Sequence, residues 1–537
     1  MAAGLPNGDV QPEWQVKVQR KRKIQAAAVK PYLVAAEPGD EDITSINDAC
    51  KLAGKIAGGE LTAYAVVSAY VRRAAAAHEK TNCLTEILFD EALQQAQELD
   101  QYYALHKKPI GPLHGVPMTL KDQFDVKGHD TTLGYVGRAF HPAEEDAVVV
   151  AMMKEMGAIF IAKTNLPQSI MWCETENPLW GLTVNPMNPA FTPGGSTGGE
   201  GALLADHGSL VGWGTDIGGS IRIPSHMNGL YGLKPSSGRL PYSGVPVSTE
   251  GQEHVPSVIG PLARSLSSIE LVTKSIIDQR PWDLDPKIHP LPWRQDVYEE
   301  VQSRPLVIGL LVDDGVVKVH PPIERVVKEV AAKLQKAGHE VIPWNNDGHA
   351  RCVEIMDQYY TSDGGEDIKR DVLAGGEPFI PHVEKLVNKA PAISVYEYWQ
   401  LNRQKVAAQK AYLDKWRNLR SLTSGKEVDV VLMPTMPHPA VPHKGCRWVG
   451  YTKVWNFLDY AALVLPAGKV DSTQDVGKDG PEVSGYVPRN DLDKWNWALY
   501  DPELMDGMPV SVQIVGKRLE EEKVLGAAKV VERILRA

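Results

Sequence analysis

Gly214-Thr215-Asp216-Ile217-Gly218-Gly219-Ser220-Ile221-Arg222-Ile223-Pro224, together with Pro193-Gly194-Gly195-Ser196-Thr197-Gly198-Gly199-Glu200-Gly201, is the stretch that decides the fold and chemistry of this chain. Glycine at this density lets backbone N–H groups converge on one point, and such nests hold anions. Three anions compete: a bound phosphate, a cofactor pyrophosphate and the transient oxyanion of acyl transfer. Gly212, Gly214 and Gly218 miss GxGxxG by one position, and no GK[ST] ends the stretch, so the phosphate readings fail on spacing. Gly194-Gly195-Ser196-Thr197-Gly198 matches the GxSxG nucleophile elbow in letters only. That elbow needs a hydrophobic strand before it, and Asn185-Pro186-Met187-Asn188-Pro189 and Pro193 stand there instead.

Acyl transfer needs a nucleophile, a base and an oxyanion nest. Ser220 reads as a nucleophile or as a helix N-cap. A base is offered upstream, where Val116 to Leu120 is an apolar strand that carries Lys121 inward. An ordinary lysine titrates near ~10.4, so burial must lower its pKa before it accepts a proton at neutrality. Strand alternation sends Asp122 to the opposite face, where it does less to keep Lys121 charged.

Further out, a helical block runs from Ile43 to about Tyr103, with Ile43, Ile46, Leu52 and Ile56 as its stripe and Thr44 and Ser45 as cap candidates. Strand signals at 115–121 and 158–162 flank a helix at 147–156. This is a βαβ unit and predicts parallel pairing. The pattern returns at 306–311, followed by Ile323, Val326, Val327, Val330 and Leu334 at helical spacing, a stop at Gly338, and Val341-Ile342. Strands at 430–433 and 510–515 and a charged C-terminal helix complete it, with irregular stretches at 278–300 and 468–495. One large α/β unit fits this better than a string of modules.

The length of 537 residues alone suggests three or four domains, and the charge balance is −10. An acidic chain lacks the basic footprint of a nucleic-acid binder. Five widely spaced cysteines, without CxxC or zinc spacing, predict a reducing compartment, and a cytoplasmic location is expected. No stretch of roughly 18 apolar residues predicts a membrane span, and the first residues lack the apolar core of a secretory signal. The basic run Lys17, Arg20, Lys21, Arg22 and Lys23 reads as the solvated face of a short helix in an otherwise loose lead.

Gly115-Val116-Pro117 with Lys121-Asp122, Lys163-Thr164-Asn165, the Gly194–Ala205 loop, Asp216 to Pro224 and Gly232-Leu233-Lys234-Pro235 stand in the order of the amidase signature family, which the chain closely resembles over residues 50 to 535. Val454-Trp455-Asn456 and Leu465-Pro466-Ala467-Gly468 most resemble acetamidase-like general amidases of fungal type. The resemblance implies an α/β fold with a single large mixed β-sheet surrounded by helices, hence a lead over 1–42 and one domain over 43–537. That domain holds a helical region at 43–105 and a divergent pocket region at about 345–500. It implies Ser220 as nucleophile, Ser196 as bridging serine after a cis peptide, and Lys121 as base. It also implies that backbone N–H groups of Ile217, Gly218, Gly219 and Ser220 supply the oxyanion hole. Asp216, Arg222 and Thr197 are supporting residues, and Thr197, usually a serine, is expected to keep the hydroxyl that supports Lys121. Gln168 replaces the glutamate of many members.

Tyr359, Tyr396, Trp399, Met436 and Trp455 are the candidates for the acyl pocket. The expected substrate is a small-molecule amide, small aliphatic amides first, aryl or longer acyl amides second, with carbamates and esters as side substrates. No cofactor and no metal is expected, and a homodimer is compatible with the sequence. Three rivals are weaker. An amidotransferase subunit needs RNA and partners, an inactive binding protein need not keep Lys121, Ser196 and Ser220, and a metal amidohydrolase needs a paired-histidine motif. His114 and His226 read as structural hydrogen-bonding residues.

Overall fold

Apolar runs too short for helices become strands here because each finds a partner in a shared sheet. The computed structural model describes residues 11–475 and 486–537. Its strands, in chain order, are β1 Leu84–Ile87, β2 Pro117–Lys121, β3 Ile159–Thr164, β4 Glu176–Asn177, β5 Gly181–Leu182, β6 Val211–Asp216, β7 Tyr231–Lys234, β8 Val258–Ala263, β9 Val307–Leu310, β10 Glu340–Pro343, β11 Val430–Pro434, β12 Ala462–Lys469 and β13 Pro509–Val515. All but β4 and β5 form one 11-stranded sheet in the order β1-β3-β2-β6-β8-β7-β12-β13-β11-β9-β10. It is mixed, as expected. β2 pairs in parallel with both β3 and β6, and β9 in parallel with β10 and β11. The centre from β6 through β13 to β11 is antiparallel.

Helices cover the sheet as the periodicity requires. Val148–Glu155 joins β2 to β3 across the expected βαβ crossover. Pro321–Lys336 buries Ile323, Val326, Val327, Val330 and Leu334, the predicted stripe. At about 2 kcal/mol per buried aliphatic side chain, those five stabilise its docking by roughly 10 kcal/mol before the entropy of ordering is set against it. The C-terminal helix Glu521–Arg536 packs Val524, Leu525, Ala528 and Val531 inward.

Several local expectations need correcting. Thr44 ends a five-residue helix, Asp40–Thr44; the cap is Asp48, whose carboxylate accepts from Cys50 N and Lys51 N to start Ala49–Ala57. The block 43–105 is also interrupted by β1, which pairs antiparallel with β3 at the sheet edge. The lead holds a 17-residue helix, Glu13–Val29, rather than a short one. Its basic run is not simply solvated. Lys21 is buried between Glu86 (2.7 Å) and Asp130 (2.6 Å), and Arg22 donates to the carbonyls of Leu179 and Pro178. Residues 281–283 and Gln295–Glu300 are helical within the stretch expected to be irregular. Of the other such stretch, 476–485 lies outside the described residues.

Candidate active site

Because β2 and β6 run in parallel side by side, their C-terminal ends deliver Lys121, Thr215 and Asp216 to one edge of the sheet, where α/β enzymes place their ligands. Lys121 is wholly buried. Its Nζ donates to Ser196 Oγ at 2.7 Å and to Thr215 Oγ1 at 2.8 Å. Burial pulls its pKa down to about 7, against the smaller opposing pull of Asp216 and Asp122. Asp122 points to the other face, as alternation requires, and accepts from Thr132 N, Thr132 Oγ1 and Leu133 N.

The hydroxyl beside Lys121 corrects an expectation. It belongs to Thr215, whereas Thr197 Oγ1 donates at 3.4 Å to the Thr215 carbonyl. Thr215 gives its own proton to Gln123 Oε1 (2.8 Å), so toward Lys121 it acts as acceptor. A neutral Lys121 that keeps one N–H on Thr215 therefore has its lone pair available on the Ser196 side. Neither Thr215 nor Gln123 was among the candidates, although Thr215 lies within the second glycine-rich segment; the pairing of β2 with β6 is the signal that finds it.

Ser196 follows a cis Gly195–Ser196 peptide. The loop is fastened to the second glycine segment by Thr197 N, which donates to Ser220 O at 3.2 Å. Ser220 and the nest residues Ile217 and Gly218 line one cavity of about 270 Å³. Asp216 organises the nest. Its Oδ1 accepts from Gly219 N (2.8 Å) and its Oδ2 from Ile221 N (3.1 Å), and Arg222 bridges both oxygens at 3.0 Å. Burial alone would raise the Asp216 pKa, but the Arg222 guanidinium holds it below the usual carboxylate range. Gly219 must be glycine: its φ is +130°, and a Cβ there would lie 2.2 Å from Thr452 Oγ1. Its N–H is engaged by Asp216, so of the four expected oxyanion-hole donors, Ile217, Gly218 and Ser220 remain.

The C-terminal half grips this nest through residues that were not among the site candidates, although Asn456 lies in a segment that carries the family resemblance. Tyr360 OH donates to Ile217 O at 2.9 Å and Thr452 Oγ1 to Gly218 O at 2.6 Å. Asn456 Nδ2 donates to Asp216 Oδ1 at 2.8 Å, while Arg222 reaches Thr452 O, Asn456 Oδ1 and Gln513 Oε1. In a planar trans peptide the C=O and the following N–H point opposite ways. A donor on Ile217 O therefore sets the direction of the Gly218 N–H.

None of the five pocket candidates lines this cavity. Tyr396 and Trp399 are 67% and 60% exposed on the helix Val395–Asn418. Met436 and Trp455 are buried in the core, Trp455 edge-on to His349 and Tyr412. Tyr359 stacks on His254 and borders an adjoining cleft that shares Ile217 and Tyr360 with this cavity. Aromatic type alone misled, because the lining comes from Ile170, Met171, Trp172, Tyr360, Leu386 and Val449. Gln168 helps shape it. Its Oε1 accepts from Ile380 N (2.8 Å) and its Nε2 donates to Pro378 O (3.1 Å), fixing the entry to the helix Pro381–Val387 that carries Leu386.

His114 accepts from Ile110 N, and His226 lies between His438 O and Ser511 N, with its pKa pushed by burial down to about 4. Neither lines the cavity. Among the described residues no cluster of three or more His, Cys, Asp or Glu is placed to hold a metal ion, and no helix is long and apolar enough to cross a membrane.

The chain matches the family model described as Amidase over residues 65–525. It is 56% identical over 522 residues to Amidase 1 of Gibberella moniliformis, covering 97% of this chain and 99% of that relative. To the acetamidase of Emericella nidulans it is 44% identical over 492 residues, 91% of this chain and 89% of the relative. In three dimensions it is similar to fatty acid amide hydrolase, with TM-score 0.92 and 33% identity over 98% of this chain and 95% of that one. The chain belongs to the amidase family and is an amide hydrolase by class.

Proposed function

We propose that the chain hydrolyses small carboxylic acid amides to the acid and ammonia or amine through Ser220, Ser196 and Lys121. Ser220 attacks the amide carbonyl. Its proton passes to Ser196, whose own proton goes to neutral Lys121. The oxyanion is received by N–H groups of Ile217, Gly218 and Ser220, preorganised by Asp216, Arg222, Tyr360 and Thr452. The relay returns a proton to the leaving amine, the C–N bond breaks, and water then hydrolyses the acyl-enzyme.

The observation that carries this reading is the buried Lys121, its pKa lowered to about 7, 2.7 Å from Ser196. A base poised near the working pH is what proton transfer at neutrality requires. The cavity of about 270 Å³ sits just under the usual range for drug-sized ligands and suits a short acyl group. Among relatives, the acetamidase of Emericella nidulans supports the same substrate class.

Ser220→Ala and Lys121→Ala, each checked for folding by circular dichroism, are expected to lose amide hydrolysis, and full activity in either overturns the mechanism. A panel of amides graded by acyl length, compared by kcat/KM, tests the preference for short chains.

A further inference from the structure

The lining of this cavity also carries charge that amide hydrolysis does not need. Lys389, Arg447 and Lys453 line it with a single carboxylate, Asp357. Lys453, buried in the helix Gly450–Phe457, pairs with Asp357 and lies over the Tyr360 ring, 4.8 Å from its centroid. Lys389 Nζ stands 4.0 Å from the other Asp357 oxygen. One acid thus faces three bases.

The third base is held in place without being neutralised. Glu174, buried, accepts from Lys444 N (2.7 Å) and Cys446 N (2.9 Å), and Cys173 Sγ donates to Cys446 O. That clamp fixes the loop from which Arg447 projects. The Arg447 guanidinium lies 3.3 Å from the centroid of the Trp495 ring, and Trp495 is itself anchored through Nε1 to Gly445 O. Among the described residues Arg447 has no carboxylate partner. An arginine stacked flat on an indole keeps the edge of its planar fork, which matches a carboxylate in a bidentate way, free of the ring.

Much of the remaining lining is apolar: Ile170, Met171, Trp172, Leu386 and Val449. The cavity therefore brings a reacting serine, apolar side chains and an excess of cationic ones into one lining.

Resting on the reading of Ser220 as nucleophile, we propose that this cavity selects amides whose acyl chain ends in a carboxylate, the monoamides of dicarboxylic acids, with the amide at Ser220 and the carboxylate on Arg447 and Lys389. Hydrolysis of such a substrate breaks the C–N bond, forms a C–O bond from water, and releases the dicarboxylic acid with ammonia. Lys453 is largely neutralised by Asp357, which leaves Arg447 and Lys389 to supply the selecting charge. Both are exposed, so the preference is moderate and screened by salt.

The test compares kcat/KM for three amides of matched chain length ending in a methyl, a carboxylate or an ammonium group, at low and high salt. The carboxylate substrate is expected to exceed the methyl one by about tenfold, and the ammonium substrate to fall below it, with both gaps narrowing in salt. In the double variant Arg447→Gln with Lys389→Gln the carboxylate-to-methyl ratio is expected to approach one, and in Arg447→Glu the ammonium substrate is expected to overtake the carboxylate. Equal treatment of the three substrates by the unaltered enzyme overturns the proposal, as does a carboxylate preference that survives the double variant. Ser220→Ala run alongside separates the two readings, since turnover persisting there strikes at the catalytic assignment and not at charge selection.

Discussion

Lys121→Met replaces a buried base with an apolar side chain of similar length, and the structure sets both the size and the pH dependence of the effect. In the folded chain burial lowers the Lys121 pKa to about 7, against 10.5 when solvated. Between those values the unfolded chain binds a proton that the folded chain does not, so stability rises with pH across the window, and at pH 7 the wild-type fold carries nearly the full burden of burying this group. At 1.4 kcal/mol per tenfold, that burden is about 4–5 kcal/mol at pH 7 and about 2 kcal/mol at pH 9. The methionine removes it but forfeits the hydrogen bonds to Ser196 and Thr215, at about 1 kcal/mol each. Lys121→Met is therefore expected to be more stable than wild type by about 2 kcal/mol at pH 7 and nearly equal to it at pH 9, while inactive toward amides. Denaturant unfolding of both proteins at the two pH values reads this directly. A stability difference that does not change between pH 7 and pH 9, or one that grows, refutes the account of Lys121 as a buried base whose pKa is lowered by burial.

Tyr360→Phe removes the donor on Ile217 O and is expected to lower kcat about tenfold with KM little changed, since the N–H direction it sets matters most when the oxyanion forms; an unchanged kcat shows the hydroxyl to be idle. Gln168→Glu retains an acceptor for Ile380 N but sets a carboxylate against Pro378 O, and should lower stability by about 1–3 kcal/mol, read as a fall in Tm. Tyr396→Ala and Trp399→Ala, on an exposed helix face, should leave kcat/KM within about twofold in the amide assay.

How far each feature was legible in the amino-acid sequence depends on how local its cause is. Lys121 was legible because an apolar strand of five residues has only one way to leave its last side chain in a sheet with both faces covered. The stripe from Ile323 to Leu334 was legible for the same reason at the helical period. Thr215 was not, because its part depends on β6 lying beside β2, a pairing between residues about 90 positions apart. The pocket was misjudged because large side chains such as Trp455 and Met436 fill the core as readily as they line a cavity, and only packing separates the two. Gly219 was read as a nest donor since composition cannot show that Asp216 folds back onto its N–H.

The grip of the C-terminal half on the nest has a temporal side. Roughly 290 residues separate Ser220 from Gln513, and the strand that carries Gln513 lies between β12 and β11 in the sheet. At about 5–20 residues per second of synthesis, some 15–60 seconds pass between the emergence of the serine and that of its last support. A chain arrested before Gly450 lacks Thr452, Asn456 and Gln513 and is expected to show no amide turnover when assayed on the ribosome. On the proposed assignment Ser220 is synthesised early and its supports late, and the nascent chain is expected to gain hydrolytic activity only when its own fold is nearly complete.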